Sequence, residues 1–302
     1  MPQLHEVQPA VTDRARIRST ALLEPYATAL VHAQSLPLDA PVVAEPSLAQ
    51  TLLEGRIFGQ LRHLFDPERP RRARRGFEVV GIWADTNQLE LAVRGADLPA
   101  ALYGLLPAWA PGDRTVEHGI PGLRHTDSEH GDGITFYLAG QSGRVTFTGI
   151  SARDLEDCRR VALDAAALRG AAEDQPLLAL EARSRTGPTD DMSAASVIGR
   201  RLGVLMHPDV SAIDSWWTRD SRFDVELIVP TEVPDPMPQI LSQMQSPDLA
   251  PRLHLRKEDG YHHVLSIEGS ESEIDLRVLR RPGTFAAAHY GRAPGPGERE
   301  SK

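Results

Sequence analysis

The sequence predicts an α+β protein of two tandem related units, each a mostly antiparallel sheet covered by helices, with a pseudo-two-fold axis between them. Three observations predict it. The stretch Gly55-Arg56-Ile57-Phe58-Gly59-Gln60-Leu61 returns at the same internal spacing as Gly199-Arg200-Arg201-Leu202-Gly203-Val204-Leu205. Three further blocks follow in the same order: Leu89 to Val93 matches Val225 to Val229; Leu98-Pro99, Leu102 and Leu105 match Met237-Pro238, Leu241 and Met244; Gly140, Val145 and Phe147 match Gly269, Ile274 and Leu276. The offset drifts from roughly 144 residues to roughly 129, as insertions and deletions in loops would make it. Finally, each matched region reads helix, hairpin, short helix, strand, hairpin, which is the pattern of an α+β layer.

Taken in order, residues 1–13 lack apolar periodicity and read as a loose arm. Residues 14–34 read as one helix through Ile17, Leu22, Leu23, Ala27, Leu30 and Val31. Ser47 is a good N-cap for the next helix, whose apolar face runs through Leu53, Ile57 and Leu61 and which Pro67 closes. Gly55 and Gly59 lie one turn apart in it, as do Gly199 and Gly203 in its counterpart. A helical glycine costs roughly 1 kcal/mol relative to alanine, so the repetition predicts that these two helices approach each other closely across the axis.

Strands are expected at 77–83 and 89–93, joined by the turn residues Asp85-Thr86-Asn87, and again at 210–217 and 223–229. Short helices follow at 98–106 and 237–244, each with proline in its first turn, where the missing N–H is harmless. Further strands are expected at 123–126 and 253–256, then closing hairpins at 134–150 and 263–279. A helix at 151–167 with Ser151 as N-cap completes the first unit; only 283–290 stands there in the second. The expected organisation is a first unit at 14–182, a linker at 183–192, a second unit at 193–290 and a tail of glycine, proline and charge at 291–302.

A net charge of −9 disfavours general polyanion binding. The one dense basic run holds Arg69, Arg71, Arg72, Arg74 and Arg75. It suits an acidic partner surface, or a phosphate backbone, though no aromatics are interleaved for base stacking. Trp109 and Trp216 are candidate contact residues if they are exposed, whereas Trp83, on a strand, reads as core. The segment 118–132 gathers His125, Asp127 and His130, residue types that bind a divalent metal, although a solvated turn has the same composition. The lone Cys158 excludes an internal disulfide and reads as a buried small hydrophobe on a helical stripe with Leu155 and Val161.

No apolar run near the start resembles a signal core, and none approaches the roughly 20 residues that span a bilayer, so a cytoplasmic protein is expected. No phosphate-cradling loop, nucleophile elbow or compact metal motif is present. The reading is a non-catalytic adaptor or chaperone-like protein that binds another protein and needs no cofactor. The alternatives are a metal-dependent hydrolase at 118–132 and nucleic-acid binding through the 69–75 arginines.

Overall fold

The computed structural model describes residues 9–61, 78–94, 98–128, 131–172, 175–184, 190–210, 212–217, 222–260 and 262–281. The helix expected at 14–34 is two: α1 (Pro9–Leu22) and α2 (Tyr26–Ser35). Leu23 takes a left-handed φ of 53°, which ends α1, and Pro25 stands at the N-cap of α2, where it disfavours a helical conformation at Glu24 before it. Arg18 Nε to Glu24 at 2.6 Å and Ser19 Oγ to the Glu24 carbonyl at 2.8 Å hold the corner. Buried Ala15, Ala29 and Ala33 let the two helices lie close.

Next comes α3 (Leu48–Leu61), capped by Ser47 Oγ, which accepts from the Gln50 N–H at 3.3 Å. Strands β1 (Glu78–Ala84) and β2 (Gln88–Arg94) form the expected hairpin. Then follow α4 (Leu98–Tyr103), β3 (Ala108–Trp109), β4 (Leu123–Asp127), β5 (Gly133–Leu138) and β6 (Arg144–Thr148). Helix α5 (Ala152–Ala166) starts on Ser151, as expected, and is followed by β7 (Arg169–Gly170) and α6 (Ala179–Ser184). The last part holds α7 (Asp190–Arg200), α8 (Leu202–Leu205), β8 (Ala212–Trp217) and β9 (Arg222–Pro230). It closes with α9 (Met237–Met244), β10 (Leu253–Asp259), β11 (His262–Ile267) and β12 (Glu273–Arg281). The small β3–β7 pairing and α6 have no counterpart in the sequence reading. The expected linker at 183–192 contains the end of α6 and the start of α7. The 1–8 portion of the arm, the tail and the short segment 283–290 lie outside the described residues.

Two five-stranded sheets result, in the orders β1-β2-β6-β5-β4 and β8-β9-β12-β11-β10. In both, two hairpins meet through one parallel pairing, β2 with β6 and β9 with β12; the other pairings are antiparallel. The inward residues of both sheets belong to one continuous core, from Leu89, Phe136 and Phe147 to Val225, Leu265 and Leu276.

Helices α3 and α7 pack against each other within that core. A Cβ on Gly55 would come within 2.2 Å of the Met192 carbonyl oxygen, and one on Gly199 within 2.0 Å of the Phe58 ring. The expected close approach is therefore made by Gly55 and Gly199. Gly203 does something else: it lies against the Thr20 and Ala21 carbonyls of α1, because Arg201 breaks the helix and turns α8 away.

The strand register corrects one detail of the sequence matching. Leu89 stands beside Val145 and Leu91 beside Phe147, while Phe223 stands beside Ile274 and Val225 beside Leu276. If Val145 corresponds to Ile274, then Leu89 corresponds to Phe223, not Val225. The slip is two residues. Side chains return to the same face every second residue, so the apolar pattern is blind to it.

Candidate functional site

Two buried arginine–glutamate pairs hold elements of the fold together. Glu54 of α3 meets Arg200 of α7 in a doubly hydrogen-bonded pair, Nη2 to Oε1 at 2.7 Å and Nε to Oε2 at 2.9 Å, with no exposure of either residue. Ser196 Oγ at 2.5 Å and Gln50 Nε2 at 2.7 Å also donate to the carboxylate. The remaining arginine donors reach the Ala44 carbonyl at 2.8 Å and the Asp85 carbonyl at 2.7 Å. This network joins α3, α7 and the β1–β2 turn and is saturated, as a structural staple must be.

A second staple closes the β4 edge. Arg124 Nη2 lies 2.7 Å from Glu181 Oε2, and Glu181 also accepts from the Gly122 and Leu178 N–H groups. Burial pushes the Glu181 carboxyl up, but Arg124 and these N–H groups outweigh it and leave it below its ordinary value.

His125 is only 2% exposed, with its Nε2 at 2.7 Å from Glu156 Oε1 on α5. Arg159 Nη1 meets the same oxygen at 3.0 Å, and its Nη2 donates to the Ala171 carbonyl. Burial raises the Glu156 carboxyl, yet Arg159 and His125 hold it below its ordinary value. His125 thus fastens the closing helix to the strand. Asp127, two residues along, is exposed at the end of β4, and His130 lies outside the described residues. Among the described residues no group of three or more His, Cys, Asp or Glu is placed to hold a metal ion.

Trp109 does not meet the condition of exposure: it is 9% exposed, held in β3 opposite Arg169 of β7. Trp83, expected in the core, is instead 44% exposed, since its position on β1 alternates with buried Ile82 and Ala84 and so points outward. Trp216 is described in its backbone only; it pairs with Asp224 as Trp83 pairs with Glu90. The arginines at 69, 71, 72, 74 and 75 lie outside the described residues. Cys158 is partly exposed, contrary to expectation, because α5 buries Leu155 and Arg159 instead. It lines a groove of about 420 Å³ with Leu98, Pro99, Gly149, Ile150, Asp154 and Asp157.

The outer face of the second sheet sets Asp224 beside Asp275 across the parallel pairing. Arg277 Nη2 bridges them at 3.0 and 2.8 Å, and Arg222 meets Glu273 at 3.1 Å. Hydrogen bonding to Asp275, with Asp224 and Glu226 nearby, raises the Arg277 guanidinium against the opposing effect of its partial burial. This face is charged but internally compensated.

The two far edges differ most. In β4, Leu123, Arg124 and His125 are all buried under α5 and the 175–184 segment. In β10, only Leu253 is buried, and the six residues from His254 to Asp259 are exposed. By ladder position Leu255, opposite Leu265, stands where His125 stands opposite Phe136. It is 37% exposed. Among the described residues β10 pairs only with β11, and its open side receives one side chain, Gln245 Oε1, which accepts from the Leu255 N–H at 3.2 Å. The sequence carried a signal for this: after Leu255 the strand runs Arg256-Lys257-Glu258-Asp259 with no apolar residue to bury.

No known family, curated protein or solved structure matches the chain. No helix among the described residues is long and apolar enough to cross a membrane.

Proposed function

We infer that the chain is a non-catalytic protein-binding scaffold, adaptor or chaperone-like in kind, in which two copies of one α+β unit form a pseudo-symmetric body and one sheet edge receives a partner. The shared strand order and shared parallel pairing support the duplication. The β10 edge, bare among the described residues, carries the binding reading, since the corresponding edge of the first sheet is sealed by Arg124–Glu181 and His125–Glu156. An open edge offers unpaired N–H and C=O groups, which an extended segment of another chain satisfies by adding a strand.

Native mass spectrometry of protein purified gently from its own host tests this. A stoichiometric polypeptide bound to the wild type and lost from Leu255→Asp is the expected result. A polypeptide retained in full by that variant puts the contact elsewhere and ends the reading.

A further inference from the structure

Resting on that reading, we propose that the occupant of the β10 edge is a second copy of this chain, paired antiparallel, β10 against β10, about a two-fold axis. The exposed run divides into a basic half, Arg256 and Lys257, and an acidic half, Glu258 and Asp259. A two-fold axis beside an edge strand sets that strand antiparallel to itself, so each basic half faces the other copy's acidic half. The complementarity is met twice by one short sequence. A run of a single sign would repel its own copy; this order attracts it.

Other features of the edge agree. Lys257 and Asp259 are both well exposed and only 3.3 Å apart, and His263 approaches Glu258 at 3.8 Å, so three of the four charges of the run meet a group of their own hairpin and none of the four is buried. The exposed Lys257–Asp259 pair is weak and exchanges readily for pairs across strands. Leu255, uncovered here while its counterpart His125 lies beneath α5, comes beside the other copy's acidic corner and loses water-facing area. The product is a ten-stranded sheet continuous through both copies. The same charges disfavour a foreign apolar or uniformly basic strand, which makes the edge selective.

Sedimentation equilibrium of the full chain tests this up to about 100 µM, two orders above a micromolar Kd. The wild type is expected to dimerise, and more weakly as salt rises. Arg256→Glu with Lys257→Glu turns the run wholly acidic, and Glu258→Lys with Asp259→Lys turns it wholly basic; each double variant alone should lose at least about tenfold in affinity. Mixed together, the two should associate with each other, and the fourfold variant carrying all four changes should dimerise again. Because every changed side chain is exposed, circular dichroism should show the wild-type fold in each.

A wild type that stays monomeric, a dimer that both double variants leave intact, or variants that fail to associate on mixing each overturn the second-copy assignment. A monomeric wild type that still carries a host polypeptide lost from Leu255→Asp overturns this assignment alone and leaves strand addition standing. A monomer that carries none removes both.

Discussion

Arg200 and Arg201 are neighbours in sequence, both fully buried, and physically opposite. Arg200 spends its donors on Glu54, Ala44 and Asp85. Arg201 donates through Nη2 to the Leu249 and Pro251 carbonyls, while its Nε and Nη1 have no hydrogen-bond partner among the described residues. Burial, with Arg200 adding repulsion, pushes the Arg201 guanidinium down from its ordinary value to about 9. A base depressed in the folded state binds its proton less tightly there than when unfolded, so its charge costs stability below about pH 9, and the cost is relieved as pH rises through that value. Arg201→Met should therefore hold or raise the melting temperature and flatten its pH dependence above pH 9. Arg200→Met should cost about 3–5 kcal/mol, because it strands the Glu54 carboxylate. Urea unfolding of the two variants, side by side, decides this; equal losses would show that Arg201 has a compensating partner. Neither role was legible in Gly-Arg-Arg-Leu-Gly, since the two side chains differ only in what stands opposite them.

At the scale of elements, the α3–α7 contact depends on absent side chains, and the neighbours differ in how far they can yield. At Gly55 the neighbour is the Met192 backbone, so Gly55→Ala should destabilise strongly with no simple relief. At Gly199 the neighbour is the Phe58 ring, so Phe58→Leu should recover part of the loss from Gly199→Ala, a non-additivity of about 0.5–3 kcal/mol in a double-mutant cycle. Additive losses would place the clash elsewhere. The 175–184 strap makes a separate prediction. The Glu181 carboxyl is depressed below its ordinary value, so its stabilisation is present above the ordinary carboxyl range and is lost as pH falls through the folded value. Glu181→Gln should lower stability at pH 7 and reduce the slope of unfolding in acid; an unchanged slope would mean the strap is already open in acid. Elements were legible where the chain is punctuated: α9 came out at 237–244 from its prolines, and α5 from Ser151. They were missed where one backbone angle decides, as at Leu23, or where only a distant partner does, as in β3 with β7. The candidate edge was half legible. A strand at 253–256 followed from pattern, but its bareness depends on there being no counterpart of α5 beside it among the described residues.

At the scale of the whole molecule, both sheets share one core among the described residues, and this bears on how they unfold. Residues from both sheets join a single cluster, with α3 and α7 between them linked by the Glu54–Arg200 pair, 146 residues apart in sequence. If the halves were separately stable, a cavity in one sheet would lower one of two transitions. With a shared core, a cavity in either sheet weakens the same cooperative unit. Phe147→Ala, in the first sheet, should lower the global stability by about 3–5 kcal/mol, and Leu276→Ala, in the second, by about 2–5 kcal/mol. Both side chains are fully buried, so the losses should be near the upper ends of those ranges. Calorimetry should show one transition in the wild type and one, shifted, in each variant, with the calorimetric and van't Hoff enthalpies equal. Two resolved transitions, each answering to only one of the variants, would mean that the Gly55 and Gly199 contact joins bodies that fold on their own. The two sheets would then belong to independent bodies, and the core they share would be an interface.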